Sequence, residues 1–313
     1  MTKALISVLV PAFNHERYIE ECINSIVNQT YAELELLISD DGSVDSTLMK
    51  VKELRKRFTH RFKNIVIDHH SNIGVAESLN LLIKQSSGDY FFIIASDDVI
   101  KAHTIERLHS FLSDHKDYVL AVGDNELIDC ESNRIYWDRF REPVDKKHSL
   151  FQTLGQSIGA QRADKNECFG KYEELLKSNH IPNGYLVRAS TIKDIGGYGS
   201  LCPEDWNLHL QLSKRGRFKY FNEVLFSYRW HDTNTVRSFK YYVSLRKDRK
   251  EQLKRELSWC QTHNILGVWK ECWGKEFSLL GTINNIRKGI VQVNFSKGKF
   301  IIKVFRKTIF KRG

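Results

Sequence analysis

The sequence predicts an α/β fold: a doubly wound, mostly parallel sheet followed by a basic, helical C-terminal extension. Three observations predict it. Short aliphatic runs alternate with helix-period segments from Ile6 to Val122, the rhythm of strands joined by crossover helices. Acidic pairs, Asp40-Asp41 and Asp97-Asp98, follow two of those runs, where ligand-binding residues of such sheets gather. Residues 237–313 hold 19 Lys and Arg against five Asp and Glu, so the chain changes character there.

The elements follow in order. Ile6–Val10 is a β-branched and aliphatic run, broken only by Ser7 and ending at Pro11, as in a strand buried on both faces. Ile19, Cys22, Ile23, Ile26 and Val27 then recur at helical spacing. Leu34–Ile38 reads as the second strand, with Val51, Leu54 and Phe58 on the helix after it. Ile65–Ile67 is the third, followed by a helix through Val75, Leu79, Leu82 and Ile83. Tyr90–Ala95 is the fourth, followed by a helix through Ile105, Leu108 and Phe111, and Tyr118–Val122 is the fifth. Residues 131–182 mix charge with glycine and read as loops and short helices over the sheet. A helix from Glu204 and a strand at Val224–Tyr228 complete the body.

These patterns place one unit at residues 1–236 and a second, basic amphipathic one at 237–313. In the latter, Tyr242, Leu245, Leu253, Leu257 and Cys260 line one helical side. Near the end Ile301, Ile302, Phe305 and Ile309 share a helical face opposite Lys299, Lys303, Arg306 and Lys307. The excess of basic over acidic residues in this segment is larger than the net charge of +10 for the whole chain, so the body is mildly acidic. A basic stretch interleaved with Trp259, Trp269 and Trp273 is expected to rest on an anionic membrane surface. Packing against the body is the alternative, and nucleic acid is not the expected partner.

Composition excludes other classes. The chain has 313 residues, 41% of them hydrophobic, and four prolines, enough for a sizeable core. No window approaches the roughly 18–20 apolar residues of a membrane-spanning helix, and the N-terminal apolar run ends at Pro11 before any cleavage site. Six cysteines show no C-x-x-C pair, which argues against zinc and for reduced thiols. The expected place is therefore the cytoplasm, peripheral on the inner face of the cell membrane.

Three acidic clusters carry the chemistry: Asp40-Asp41, Asp97-Asp98 and Glu204-Asp205. A carboxylate after the second strand can accept a base N–H, although Asp-Asp-Gly-Ser is also an ordinary turn and helix cap. Carboxylates after the fourth strand can hold a divalent cation against a diphosphate. Glu204-Asp205 follows Pro203 at a helix start, where negative charge is favoured. Either acid there can act as a general base, though acids in a first helical turn are commonly structural.

With SVLVPAFNHERYIEECINSIVNQTY, LLISDDGSVDST, SNIGVAESLNLLIKQSSGDYFFIIASDDV, IKDIGGYGSLCPEDWNLHLQLSKRG and FSYRWHDTN in this order, the chain resembles the family-2 glycosyltransferases of GT-A fold over about residues 5–235. The resemblance implies an inverting hexosyltransferase of the bacterial surface-polysaccharide type, using a UDP-sugar donor and Mn2+ or Mg2+. It implies that Asp41 accepts the uracil N3–H, with Pro11, Phe13 and Asn14 completing the nucleoside pocket and Asn72 and Gly74 on a loop approaching it. It assigns Asp98 to the metal, Asp97 to the ribose or a metal-bound water, and Asp205 to the general base with Glu204 as rival. It brings His231 to the metal or phosphate, with Arg229 nearby. The family often reads D-x-D-D where this chain has Ala95-Ser96-Asp97-Asp98, so the leading acid is missing. The implied acceptor is a sugar or oligosaccharide, as on a polyprenyl-diphosphate intermediate of O-antigen or capsule synthesis. A nucleotidyltransferase would want a Gly-rich basic loop where PAFNHERY stands, and a dehydrogenase a G-x-G-x-x-G after a strand. A non-catalytic nucleotide-sugar-binding or membrane-scaffold protein could dispense with Asp98 and Asp205, and both are present.

Overall fold

Alternating apolar runs and amphipathic helices build the sheet as expected. A computed structural model describes residues 3–277, 291–296, 299–304 and 307–312. In order these form β1 (Ile6–Ala12), α1 (Ile19–Val27), β2 (Leu34–Asp40), α2 (Thr47–Phe58), β3 (Ile65–His69), α3 (Val75–Gln85), β4 (Tyr90–Ile93), β5 (Val99–Ile100), α4 (Thr104–Asp114) and β6 (Tyr118–Ile128). A hairpin of β7 (Arg134–Trp137) and β8 (Pro143–Val144) leads to the short helices α5 (Leu154–Ile158), α6 (Ala160–Lys165) and α7 (Tyr172–Lys177). Then come β9 (Tyr185–Arg188), α8 (Ala189–Asp194), α9 (Glu204–Ser213), β10 (Arg217–Arg229), α10 (Phe239–Thr262), α11 (Leu266–Phe277), β11 (Val291–Ser296), β12 (Lys299–Val304) and β13 (Lys307–Arg312).

The main sheet runs β3-β2-β1-β4-β9-β6-β10-β5. The neighbours β3, β2, β1 and β4 are parallel, and so are β6 and β10. β9 opposes both β4 and β6, so those six strands point the same way around one inverted strand. Their carboxyl ends share an edge, which decides where ligands gather.

Helices cover both faces, which is why β2 is buried at every position. Leu9, Leu37 and Phe91 face one layer with Leu79, Leu82 and Leu208. Val8, Leu36 and Phe92 face the other with Ile19, Ile23 and Leu108. Period-2 alternation thus supplies two cores from one set of strands.

Two expectations change. The boundary at 236/237 does not separate packed units: Leu253 and Cys260 of α10 and Cys272 of α11 belong to the same core as Leu208 and Leu210 of α9. Gln252 and Glu256 are buried beside them, paired with Asn207, Gln211, Tyr172 and Lys214. The extension is helical through α11, but the helical face read at Ile301, Ile302 and Ile309 is not formed. β11, β12 and β13 make an antiparallel three-stranded sheet, with Val293 opposite Ile302 and Ile302 opposite Phe310. The density of Val, Ile, Thr and Phe there favours strand over helix. Phe305 and Arg306 lie outside the described residues.

Candidate active site

β1 runs out into Phe13 and Asn14, β2 into Asp41, β3 into the 70–74 loop, β4 into Ser96–Asp98 and β10 into Trp230 and His231. Because only residues 214–216 join α9 to β10, α9 runs opposite to β10. Its N-terminus, with Glu204 and Asp205, therefore returns to the same edge. The parallel topology brings the three acidic clusters to one side of the sheet.

The first cluster ties two loops together. The Asp41 carboxylate accepts from the backbone N–H groups of Ile73 (2.6 Å) and Gly74 (2.9 Å), and the Asn72 side chain donates to the Asp41 carbonyl (3.1 Å). Two accepted bonds leave the carboxylate spare lone pairs for a base N–H. Gly42 (φ +75°) is needed because a Cβ would stand 2.8 Å from the Asn72 nitrogen, and Gly74 adopts φ +91° at the start of α3. Asn14, itself at φ +53°, donates its N–H to Ser43 Oγ and accepts at Oδ1 from the Val44 N–H, both at 2.9 Å. Phe13 and Ile73 are each more than two-fifths exposed, an apolar surface of the kind an aromatic base covers. Pro11 is half-buried within β1.

At the second cluster the two acids part. Asp97 Oδ2 lies 2.9 Å from His231 Nε2, and the His15 Nδ1 is 3.9 Å from Asp97 Oδ1. One ligand atom from each of His15, Asp97 and His231 falls within 4.8 Å of the others. His231 Nδ1 meets Thr233 Oγ1 at 2.8 Å and His15 Nδ1 meets Ser96 Oγ at 2.7 Å, partners of the kind that orient metal-binding imidazoles. This mixed nitrogen and oxygen set fits a divalent cation, Mn2+ more readily than the harder Mg2+. Burial raises the proton affinity of Asp97, but the bond to His231 and the nearby His15 outweigh it and leave its carboxyl below the usual range.

Asp98 turns inward. It is 1% exposed, Oδ1 accepts from the Arg229 N–H (2.9 Å), and Oδ2 is buried with no partner among the described residues. Burial and then the Asp97 charge push its carboxyl well above the ordinary range. Asp98, expected at the metal, thus stands outside the cluster of His15, Asp97 and His231, with its second oxygen buried beside it. The last residue of a D-D pair after a strand points opposite to the first, and one places its oxygens among imidazoles.

Arg229 is also corrected. Expected near the diphosphate, it is fully buried and its fork is spent on protein: Nε donates to the Asp97 carbonyl (2.6 Å), Nη1 to the Asp129 carbonyl and Ser132 Oγ (both 2.9 Å), and Nη2 to Glu21 (2.6 Å). Arg229→Ala would strand these acceptors, and we expect a loss of about 3 kcal/mol in unfolding free energy, read by chemical denaturation. A change below about 0.5 kcal/mol would contradict the strut role.

The third cluster sits on the first turn of α9. Asp205 Oδ1 accepts from the Trp206 N–H (2.7 Å) and Oδ2 from the Asn179 side chain (3.0 Å). Asn179 Oδ1 in turn meets Nδ1 of His209 at 3.1 Å. Burial, with the neighbouring His180, drives the His209 pKa down to about 3, so the ring is neutral and fixes the Asn179 amide with its nitrogen toward Asp205. The helix start was expected to keep Asp205 ionised, but burial acts the other way and raises its pKa. Burial and the Asp205 charge push Glu204 up to about 7.

Sequence reasoning missed three of these residues. His15 stands inside PAFNHERY, and a ligating residue type one position after Asn14 was the available signal. Asn179 and His209 gave none, because their partners are distant in sequence.

The sequence profile described as glycosyl transferase family 2 matches residues 7–169, about half of the chain. The chain belongs to glycosyl transferase family 2. Among curated relatives of this glycosyltransferase, an uncharacterized glycosyltransferase of Haemophilus influenzae is 29% identical over 257 residues, covering 80% of this chain and 72% of that one. Glycosyltransferase GlyG of Streptococcus pneumoniae is 24% identical over 262 residues, covering 82% and 80%. Two solved structures share the GT-A fold. S. aureus TarS 1-349 in complex with UDP-GlcNAc has a TM-score of 0.56 at 16% identity over 99% of both chains. The mannosyltransferase PcManGT of Pyrobaculum calidifontis in complex with GDP-Man and Mn2+ has a TM-score of 0.58 at 12% identity, over 82% of this chain and 65% of that one. The glycosyltransferase is therefore an enzyme of GT-A fold with a His-Asp-His cluster able to hold a divalent ion.

Proposed function

We propose that this glycosyltransferase moves a hexose or N-acetylhexosamine from a UDP-sugar to a hydroxyl of a glycan acceptor with inversion at the anomeric carbon. The observation that carries the reading is the gathering of Asp41, the His15–Asp97–His231 cluster and the Glu204–Asp205 pair along one carboxyl edge. The UDP and UDP-GlcNAc complexes of TarS support the choice of donor class. Asp41 receives the uracil N3–H beside the apolar surface of Phe13 and Ile73, which fixes the donor. Asp205 takes the acceptor proton as its oxygen forms a bond to the anomeric carbon. The bond from that carbon to the UDP oxygen breaks, and UDP departs with the electron pair. A divalent ion held by Asp97, His231 and His15 would neutralise the charge growing on that diphosphate. Residue placement does the rest: α9 presents a carboxylate whose proton affinity burial has raised, as a base near neutral pH requires.

The acceptor we propose is a sugar on a polyprenyl diphosphate, an intermediate of O-antigen or capsule synthesis, met at the cytoplasmic membrane face. No helix among the described residues is long and apolar enough to cross a membrane, and α10 and α11 are docked on the body. Exposed basic residues of α10, among them Lys247, Lys254 and Arg255, are candidates for an anionic surface, each contributing about 1 kcal/mol near such a surface. One experiment tests donor, acceptor and surface together. Purified protein is given a panel of UDP-sugars with a lipid-diphosphate sugar, either in neutral vesicles or in vesicles containing anionic lipid, and the product linkage is read by NMR. Transfer from one UDP-sugar, faster on anionic than on neutral vesicles, is the expected result. Binding of UDP without any transfer or donor hydrolysis would leave a non-catalytic binding protein as the reading.

A further inference from the structure

The active edge holds a cation that the preceding account leaves unused. Arg141 lies in the 138–142 turn between β7 and β8, which is held by Asp138: Oδ1 accepts from the N–H groups of Phe140 (2.7 Å) and Glu142 (3.0 Å), and the carbonyl accepts from Arg141 N–H (3.1 Å). The turn puts Arg141 at φ +60°, a conformation uncommon for a residue with a side chain. Its guanidinium carbon stands 5.7 Å from the ring centre of the fully buried Trp137. Its Nε donates to Ser157 Oγ at 3.0 Å.

Trp137 places that guanidinium at the reaction edge. Its ring packs edge-on against Trp230 at 4.8 Å and Tyr228 at 6.4 Å, and Trp230 immediately precedes His231 of the cation cluster. Tyr228 lies within electrostatic reach of Asp97, Asp98 and Asp205 as well as of Arg141. Tyr241, also within electrostatic reach of Arg141, senses Asp205 and Glu204.

Buried cations are ordinarily paired. Arg229 and Lys214 of this chain meet Glu21 and Glu256. Arg141 is half-buried, yet among the described residues no carboxylate forms an ion pair with it, and its two Nη groups meet no acceptor. Burial lowers its proton affinity, but a guanidinium stays charged. What remains is a two-pronged donor, desolvated on its aromatic side and unspent on its other. That fork matches phosphate oxygens in pairs.

We infer that Arg141 receives a phosphate group of a substrate, either the donor's diphosphate or a phosphate carried by the acceptor. The inference rests on the nucleotide-sugar reading above and takes over the place that the sequence gave to Arg229. The test compares wild type, Arg141→Gln and Arg141→Lys. UDP and uridine affinities are titrated with Mn2+ present, and KM is measured for matched acceptors with and without a phosphate. A ratio of two affinities does not depend on how much of a variant is folded.

If the donor supplies the phosphate, Arg141→Gln narrows the UDP-to-uridine preference by about tenfold or more, and Arg141→Lys keeps part of it. If the acceptor supplies it, that preference is unchanged, while KM rises by about tenfold for the phosphate-bearing acceptor and not for the neutral one. Both ratios unchanged in Arg141→Gln would overturn the inference. Wild type that fails to prefer UDP over uridine would instead overturn the nucleotide-sugar reading on which it stands.

Discussion

Asp205→Asn is expected to lower kcat by about 10²–10⁴, the span of a lost general base, with UDP affinity within twofold or so of wild type. The amide keeps the shape and its oxygen can still accept from the Trp206 N–H, while its nitrogen takes the place of the oxygen that accepted from Asn179, so one hydrogen bond is lost along with the ability to take a proton. Glu204→Gln separates the two acids. A base must be ionised, so the rate of wild type falls as pH drops through the titration of the pair. With burial raising Asp205 and Glu204 pushed up to about 7, that limb should lie above the usual carboxylate range. Burial rather than the Glu204 charge raises Asp205, so Glu204→Gln should leave that limb in place while turnover persists. If instead Glu204→Gln abolishes transfer and Asp205→Asn does not, the roles are reversed.

Asp97→Asn should remove most of the Mn2+-dependent part of UDP affinity, about tenfold or more, because it takes the one carboxylate out of the His15–Asp97–His231 cluster. Asp98→Asn should leave that dependence in place. Its Oδ1 can still accept from the Arg229 N–H, and its carboxyl is already held toward the neutral form by burial. Calorimetric titration of UDP with and without Mn2+ reads both. A loss in Asp98→Asn alone would restore the assignment that the sequence suggested and discard the geometric one.

The fold was legible because the elements that build the sheet carry their signals locally. Ile6–Val10 and Leu34–Ile38 are apolar runs broken only by Ser7 and Glu35, and Ile19, Cys22, Ile23 and Ile26 form the buried stripe of α1 where their spacing placed it. The end of the chain was misread because Ile301, Ile302 and Ile309 suit a helical period as well as a strand. Two or three hydrophobic positions cannot choose between periods, whereas the β-branched content and the pairing of β12 with β11 and β13 do. Nor could spacing place the inverted β9 between β4 and β6, since that pairing joins residues nearly a hundred positions apart.

By itself, then, the sequence determined the alternation of strands and helices and the three acidic clusters at element ends. It also determined the family, through motifs spread along the body. The tertiary structure decided which member of each pair faces which partners. Asp97 and Asp98 are neighbours in the chain, yet one sits beside two imidazoles and the other is sealed under Arg229. Arg229, basic in a motif that approaches phosphate, is consumed by Glu21 and two backbone carbonyls, while Arg141 in an unmarked turn keeps its fork open. The physical reason is that a residue type fixes what a side chain can do. Its direction, its burial and the partners that reach it from distant segments fix what it does, and those exist only once the chain has folded.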